Sequence, residues 1–337
     1  MDVAELGEFG LIDRLAGLLA ERASAETAGR LAVGIGDDAA VWRADGVAII
    51  ATTDTLVADV HFLAGRTPWR DLGWKAIAVN VSDIAAMGGT PDFALITLAL
   101  PRDTQVERLD ELYEGIAEAC EAYGVAVAGG DVVRAPQLMI SIALTGRAEL
   151  DASGEPLVLR RDAAQAGDVV AVTGVLGGAA GGLHALRNSD QSDATRALIA
   201  RHLRPQARAS VGPAAVVAGI RCAIDVSDGL LQDLGQVCKA SRLAAVVWRD
   251  RLPVDPALID AFGPDEAYRY AVSGGEDYEL LLTGSQEQLD ALARAAGVPV
   301  TVIGEMVIGP DQQARLLDES GRELDVPSAG WDHLRGD

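Results

Sequence analysis

Residues 69–101, WRDLGWKAIAVNVSDIAAMGGTPDFALITLALP, place a helical pattern directly before a strand pattern. Apolar residues recur at helical spacing through residues 69–87, and this spacing predicts a helix. Gly88 and Gly89 end the pattern, and the apolar run at residues 93–101 is typical of a strand. The segment therefore predicts a fold in which helices and strands pack together.

The same alternation continues on both sides of this segment. Residues 47–57 (VAIIATTDTLV) have the pattern of a buried strand, and residues 107–124 have that of a second helix. In VAVAGGDVV, residues 125–133, a strand pattern stands directly before a Gly-Gly-Asp turn, and another strand pattern follows at residues 138–148 (LMISIALTGRA). The first part of the chain is thus predicted to form an α+β domain that covers residues 1–150.

A polar segment at residues 151–168 separates this domain from a second alternation of strands and helices. The alternation begins with the strand pattern VVAVTGVLG at residues 169–177 and reaches the strand pattern VTVIGEMV at residues 300–307. Strands and helices that alternate with short connections favour a layered α/β arrangement. We therefore predict a second domain, residues 151–337, and the length of 337 residues also favours two domains.

The composition argues against nucleic acid and membrane partners. The chain has 28 Lys and Arg against 50 Asp and Glu, a formal net charge of −22, so its field repels phosphodiester backbones and anionic lipid surfaces. Three widely spaced cysteines give neither a disulfide framework nor a metal-ligand spacing. The first residues are acidic where a signal peptide needs a basic region, and no apolar run approaches the roughly 18 residues of a membrane span. These features predict a cytoplasmic protein.

Acidic residues recur at predicted strand ends, turns and helix starts. They are Asp37 and Asp38 in GIGDDAA, Asp54 in TTDT, Asp83 in NVSD, Asp131 in GGDVV, and Asp225 and Asp228 in DVSD. Carboxylates gathered around one crevice repel one another unless they hold protons or share cations. Mg²⁺ prefers oxygen ligands and binds through carboxylates together with substrate phosphates, so the pattern predicts a magnesium site in an acidic protein that binds phosphates.

Hydroxyl side chains stand beside these acids and add further hard oxygen atoms. They are Thr52, Thr53, Ser82 and Ser227. A single Asp before a helix is more often an N-cap, and this alternative applies to Asp83 and Asp228 when each is taken alone. Capping does not explain why apolar strands repeatedly finish in Asp-Asp, Thr-Thr-Asp and Gly-Gly-Asp, so the joint pattern favours metal binding.

The segment GGAAGGLHAL, residues 177–186, resembles a phosphate-binding loop but lacks the GxxxxGK[ST] arrangement of a P-loop. A helix rich in Gly and Ala is often a close packing surface, and we favour that interpretation. The chain also lacks the HRD and DFG motifs of protein kinases. A phosphoryl-transfer enzyme with this sequence would belong to neither class.

A few other residues are candidates for substrate contacts. Lys75 and the pair Arg160-Arg161 are candidates for phosphate contacts, with Arg161 favoured because it lies at the predicted domain junction. His61 follows the TTDT segment and is a candidate for a contact with a substrate ring or phosphate, and Trp331 is a candidate for stacking on an aromatic ligand. Solvated charge or a structural role is the alternative for each of them.

Taken together, eight motifs resemble those of the thiamine-monophosphate kinases, a family within the ATP-binding superfamily of aminoimidazole ribonucleotide synthetase. The motifs are GEFGLI, GIGDDAA, TTDTLVADVHF, WKAIAVNVSDIAAMGG, GGDVVR, DVSDGLLQDLG, SGGEDYELL and GWDH. They occur in the family's order between residues 7 and 333, so the resemblance covers nearly the whole chain. TTDTLVADVHF and SGGEDYELL are specific within the superfamily, whereas GGDVVR or GIGDDAA alone is a weak signal.

The resemblance implies a function and a fold. The implied reaction is transfer of the ATP γ-phosphate onto thiamine monophosphate, direct and in line, assisted by several Mg²⁺ ions and without a phosphoenzyme or a protein acid or base. The implied fold has an N-terminal α+β domain whose sheet forms a barrel with its dimer mate, and a C-terminal three-layer α/β domain. The expected partners are therefore ATP, thiamine monophosphate and a second copy of the chain.

The resemblance also assigns residues to each ligand. The Mg²⁺ ligands would be Asp38, Thr52, Thr53, Asp54, Asp83, Asp131, Asp225 and Asp228, with Asp38 preferred to Asp37. The ATP contacts would be Gly130, Asp131, Arg161 and Ser227, and the contacts to thiamine monophosphate would be His61, Glu276 and Trp331. Two other functions stay open at this point, an aminoimidazole ribonucleotide synthetase and a non-catalytic protein that binds nucleotides or metals on the same scaffold.

Overall fold

A computed structural model describes residues 10, 12, 31–44, 46–190, 192–326 and 330. The strands of its first sheet are β1 (Leu31–Val33), β2 (Ala40–Ala44), β3 (Val47–Val57), β4 (Thr90–Leu100), β5 (Ala126–Arg134) and β6 (Met139–Ala148). They lie in the order β1-β2-β3-β6-β4-β5, so β5 forms one edge. β4 and β5 run parallel and the other neighbours antiparallel, which makes the sheet mixed.

Two helices, α1 (Trp69–Ala86) and α2 (Val106–Tyr123), pack beside each other and on one face of this sheet. Two glycines allow the helices to approach closely. A Cβ atom on Gly73 would lie 2.0 Å from the carbonyl oxygen of Leu112, and one on Gly115 would lie 1.7 Å from that of Arg70. Any side chain at either glycine would therefore push the two helices apart.

The second sheet contains β7 (Val169–Thr173), β8 (Cys222–Asp225), β9 (Ala244–Trp248), β10 (Leu280–Gly284), β11 (Val300–Val307) and β12 (Ala314–Leu317) in the order β12-β9-β11-β7-β10-β8. Its helices are α3 (Gly178–Asn188), α4 (Asp193–Leu203), α5 (Val211–Val217), α6 (Leu230–Ser241), α7 (Pro256–Phe262), α8 (Pro264–Ser273) and α9 (Gln286–Ala295). One apolar cluster joins α6 to one face of the sheet, and another joins α5 and α9 to the other face. Helices thus cover both faces of the second sheet.

Helix α1 lies between the two halves of the structure. Fourteen of its eighteen residues are buried, because the first sheet covers one side and β8 and α5 cover the other. Gly212 of α5 comes so close that a Cβ atom there would lie 2.0 Å from the carbonyl oxygen of Ala85. A helix buried on several sides can hold polar side chains only if partners from both halves satisfy them.

The structure confirms the elements predicted for residues 69–101. The helix spans Trp69–Ala86, and the strand begins at Thr90, a little earlier than predicted, because its pairing with β6 extends to Arg147. Together the two mixed sheets and their helices form a two-domain α/β fold. In the part of the chain that the structure describes, none of the helices has the length and apolar character that crossing a bilayer requires.

Candidate active site

Buried polar residues of α1 reach out to both halves of the structure. Asn80 Oδ1 accepts a hydrogen bond from the backbone N–H of Asp54 at 3.1 Å. Ser82 Oγ donates to Asp225 Oδ2 at 2.5 Å. Asp83 lies in the last turn of α1 and not at a helix start, so the N-cap interpretation does not apply to it.

Three carboxylates meet where α1, β2 and β8 come together. Asp38, Asp83 and Asp225 each place an oxygen atom within 4.8 Å of the others, and we call them the carboxylate cluster. Thr52 of β3 donates a hydrogen bond from its hydroxyl to Asp83. Asp54 lies within β3, two residues from Thr52 and on the same face, and not at the strand end as the sequence suggested.

Burial and mutual repulsion both act on the carboxylate cluster. Burial, followed by repulsion from Asp54, Asp225 and Asp38, raises the pKa of Asp83 well above its ordinary value. Burial and the neighbouring Asp38 likewise raise the pKa of Asp225. Buried carboxylates with hydroxyl oxygens beside them are hard ligands, and a divalent cation would relieve the repulsion among them. The donor set therefore fits Mg²⁺.

Arg161 joins the start of the second domain to the Asp37-Asp38 turn. Its Nε and Nη2 atoms donate to the two carboxylate oxygens of Asp38 at 3.2 and 2.6 Å. Its backbone N–H points at Asp37 Oδ2 at 3.2 Å. Burial and then repulsion from Asp38 raise the pKa of Asp37 to about 7. Arg161 thus lies next to the carboxylate cluster and fixes the orientation of Asp38.

The loop between β8 and α6 is organised by Asp233. The backbone N–H groups of Ser227, Asp228 and Gly229 all donate to Asp233 Oδ2, at 3.1, 3.1 and 3.0 Å. The N-cap residue of α6 is Gly229 rather than Asp228. Asp233 therefore fixes the backbone of the loop that carries Ser227 and Asp228 directly after Asp225.

Glu276 lies in a polar contact of its own. Its Oε1 atom is 2.5 Å from Lys75 Nζ, and its Oε2 atom is 3.0 Å from His202 Nδ1. Lys75, which the sequence offered as a phosphate contact, contacts this carboxylate. Glu276 has a φ of 68°, in the left-handed region, so the backbone at this position is held in an uncommon conformation by its surroundings.

Thr53 and Asp131 are not brought to the carboxylate cluster within one chain. Thr53 lies on the opposite face of β3 from Thr52 because side chains alternate along a strand. Asp131 lies on the edge strand β5, where it pairs with Thr97 of β4. It is three strands away from Thr55 of β3, and the spacing between strands alone sets the distance between these two residues at roughly 14 Å. Gly130 lies beside it, where a Cβ atom would meet the carbonyl oxygen of Ile96 at 1.9 Å.

The remaining candidates have separate positions. His61 follows β3, and its Nδ1 atom accepts a hydrogen bond from the Val57 N–H at 3.0 Å. Trp331 lies outside the described residues. The GGAAGG segment forms the start of α3 and is a packing surface, since a Cβ atom on Gly182 would lie 2.1 Å from the carbonyl oxygen of Leu198. The carboxylate of Asp277 accepts the N–H groups at the start of this helix.

Comparison with known proteins identifies the family. The family model for AIR synthase related protein, N-terminal domain, matches residues 36–148, and that for the C-terminal domain matches residues 165–316. The thiamine-monophosphate kinase of Aquifex aeolicus is 36% identical over 339 residues, which cover 99% of this chain and 100% of that protein. The thiamine-monophosphate kinase of Escherichia coli K12 is 37% identical over 310 residues, with 90% and 92% coverage. The chain belongs to the thiamine-monophosphate kinase family.

Solved structures of this family share the fold. The structure of AaThiL complexed with AMPPCP and TMP matches with a TM-score of 0.85 and 34% identity, covering 99% of both chains. The thiamine-monophosphate kinase of Stenotrophomonas maltophilia matches with a TM-score of 0.76 and 36% identity, covering 95% of this chain and 98% of that one. The resemblance that the motifs indicated is therefore confirmed.

Some residues that build the site in this thiamine-monophosphate kinase family member were missed by sequence reasoning. Asn80, His202 and Asp233 are buried polar residues that contact a candidate ligand residue. Asp233 had a usable signal, since it stands in the first turn of a predicted helix directly after DVSD. His202 had none, because 74 residues separate it from its partner Glu276.

Proposed function

We propose that this chain is an ATP-dependent thiamine-monophosphate kinase that converts thiamine monophosphate and ATP to thiamine diphosphate and ADP. The observation that carries the proposal is the full-length match to a structure complexed with AMPPCP and TMP, together with the carboxylate cluster between the two domains of this chain. An oxygen of the acceptor phosphate bonds to the γ-phosphorus while the bond from that phosphorus to the β,γ-bridging oxygen breaks. A direct transfer of this kind depends on positioning and charge neutralisation.

We further propose that Mg²⁺ binds at the carboxylate cluster. Asp38, Asp83 and Asp225 would hold it with help from Asp54 and Thr52. Family resemblance alone assigns Asp228, and also Thr53 and Asp131, which lie away from the cluster within one chain, as further Mg²⁺ ligands. When bound, Mg²⁺ neutralises charge on the phosphates. The set of hard oxygen donors and the raised carboxyl pKa values support this assignment.

The residues of the chain position the reactants in this proposal. Arg161 holds Asp38 by two hydrogen bonds and lies near the start of the second domain, where a nucleotide phosphate would contact it. Asp233 fixes the backbone at Ser227, which family resemblance assigns to ATP contact. No side chain has to act as a base, because the second ionisation of a phosphate monoester has a pKa of about 6.

The outer face of the first sheet supports a homodimer. Phe93 and Leu95 of β4 are 52% and 53% exposed, and every residue of β5 is exposed. A second copy of the chain that covers this face would bury the apolar side chains and protect the edge strand. It would also place Gly130 and Asp131 at the interface. We propose that the dimer acts in the cytoplasm, in keeping with the unpaired cysteines.

An assay with purified protein, ATP and Mg²⁺ tests the proposed function. We expect thiamine diphosphate from thiamine monophosphate and none from thiamine. Asp54→Asn should lower turnover by roughly 100-fold or more, because it removes a charge beside the cluster. Asp265→Asn is the matched control, since its side chain is 98% exposed on α8. ADP formation that ignores thiamine monophosphate, or an Asp54→Asn variant as active as this control, would refute the proposal.

A further inference from the structure

A buried contact joins the two domains at a distance from the carboxylate cluster. It consists of Lys75 on α1, His202 on α4 and Glu276 in the segment between α8 and β10, and we call it the Lys-Glu-His triad. Lys75 and His202 are each only 1% exposed, whereas the Glu276 side chain is 26% exposed. One member of the triad thus faces an opening while the other two support it from behind.

The triad holds both oxygen atoms of one carboxylate. Lys75 Nζ lies 2.5 Å from Oε1 and His202 Nδ1 lies 3.0 Å from Oε2, so rotation of the carboxylate would break one contact or the other. Burial alone would raise the pKa of Glu276, but Lys75 and His202 lower it well below the ordinary value. Burial and the charge of Lys75 also lower the pKa of His202.

A buried ammonium group is costly unless it is paired. Lys75 is the largest fully buried side chain among the described residues, and its ion-pair partner there is Glu276. An aliphatic side chain would fill the same space without this cost, so the position of Lys75 is explained by what it does to Glu276.

We propose that Lys75, supported by His202, is a positioning residue that fixes Glu276 for contact with the acceptor substrate. The inference rests on the proposed function and on the assignment of Glu276, made from the family resemblance, to contact with thiamine monophosphate. Lys75 does not touch the reacting phosphates in this arrangement, since its ammonium group is occupied by Glu276 and enclosed by α1 and its neighbours. Its effect is therefore on acceptor binding and is transmitted only through Glu276.

Steady-state kinetics of Lys75→Met, Glu276→Gln and the double variant test this proposal. We expect Lys75→Met to raise KM for thiamine monophosphate about tenfold, or about 1.4 kcal/mol, while kcat and KM for ATP stay within about twofold. In the Glu276→Gln background, Lys75→Met should change KM by less than about twofold, because no carboxylate is left to position. Trp74→Phe is the matched control on the same helix, since it removes a buried hydrogen bond to Pro205 without touching Glu276.

Each outcome bears on the inference. If the effects of the two substitutions on KM multiply, or if Lys75→Met lowers kcat and leaves KM unchanged, Lys75 does not act through Glu276. Should Lys75→Met fail to fold, the double variant leaves no unpaired buried charge, and its KM must then equal that of Glu276→Gln. A wild-type protein that turns over thiamine monophosphate while Lys75→Met behaves like Trp74→Phe overturns this inference alone. A wild-type protein without that turnover overturns the proposed function and this inference with it.

Discussion

Replacing Asp83 by Asn should make the metal-free protein more stable and the enzyme inactive. The substitution keeps the shape of the side chain and one oxygen that can accept the Thr52 hydroxyl. It removes the charge that Asp38 and Asp225 repel across no more than 4.8 Å. A residue whose removal stabilises a fold but abolishes its activity is one that the fold retains for binding.

The size of the effect follows from the cluster geometry. Two unit charges 4.8 Å apart repel by about 3.5 kcal/mol at an effective dielectric constant of about 20. Asp83 takes part in two such pairs, but its raised pKa means that the protein already holds protons to avoid part of the repulsion. We therefore expect a gain of about 1 to 3 kcal/mol in the free energy of unfolding without metal, or roughly 2 to 5 °C in Tm.

The pH dependence has a defined sign. A carboxyl group whose pKa is raised on folding binds protons more tightly in the folded state, so its contribution to stability is present at low pH and is lost as pH rises. The loss begins above the unfolded pKa of about 3.9 and, for Asp37, runs to about pH 7. The raised pKa of Asp83 gives the same sign. The advantage of Asp83→Asn should therefore be larger at pH 8 than at pH 5.

Urea and thermal unfolding in EDTA and in Mg²⁺ with ATP provide the measurement. In EDTA, Asp83→Asn should exceed the wild type in stability. With Mg²⁺ and ATP the order should reverse, since a ligand at a hundredfold excess over its Kd adds about 2.7 kcal/mol to the protein that binds it. Asp265→Asn should change the stability by less than about 0.5 kcal/mol under both conditions. If Asp83→Asn is the less stable protein in EDTA at pH 8, the carboxylates are not held in mutual repulsion.

Two further predictions concern packing and assembly. Gly182→Ala should lose about 1 to 3 kcal/mol of stability and leave KM for ATP unchanged, because its Cβ atom would lie 2.1 Å from a carbonyl oxygen. Gly235→Ala in α6 has nothing within 4 Å of the added Cβ atom and should gain about 0.5 to 1 kcal/mol. Urea unfolding compares the two variants, and a higher KM for ATP in Gly182→Ala would instead indicate a phosphate-binding loop. Phe93→Glu, on the exposed face of the first sheet, should convert the dimer to a monomer in light scattering. Val217→Glu, at an 89% exposed position on α5, should leave the dimer intact. If the Phe93→Glu variant is still a dimer, this face is not the interface.

Local patterns predicted the elements well because they depend on near neighbours. Helical spacing and Gly88 located α1, and the same reasoning located β4 and α2. The acids were found by their surroundings too, since strands that end in acidic turns bring carboxylates to one side of a domain. Three of those acids, Asp38, Asp83 and Asp225, indeed meet in the structure.

What the sequence could not supply were partners from distant parts of the chain. Lys75 and Glu276 are 201 residues apart, and nothing in either motif indicates that they pair. Asp131 was predicted beside the other acids because GGDVV follows a strand pattern, but the residue lies within an edge strand. Strand order in a sheet depends on crossovers, which periodicity does not report. The distance of Asp131 from the cluster was therefore invisible before the fold was known.

Helix α1 connects these observations, because its buried polar residues contact both domains. Lys75 and Ser82 are seven residues apart, two turns along one side, and contact Glu276 and Asp225 of the second domain. The rise of the helix sets their separation at roughly 10 Å. A substrate that reaches from the carboxylate cluster to Glu276 must span a similar length and carry a phosphate at the cluster end. On the proposed site, thiamine without its phosphate would leave the cluster uncontacted, so we expect the spacing built into one helix to favour an acceptor that is already phosphorylated.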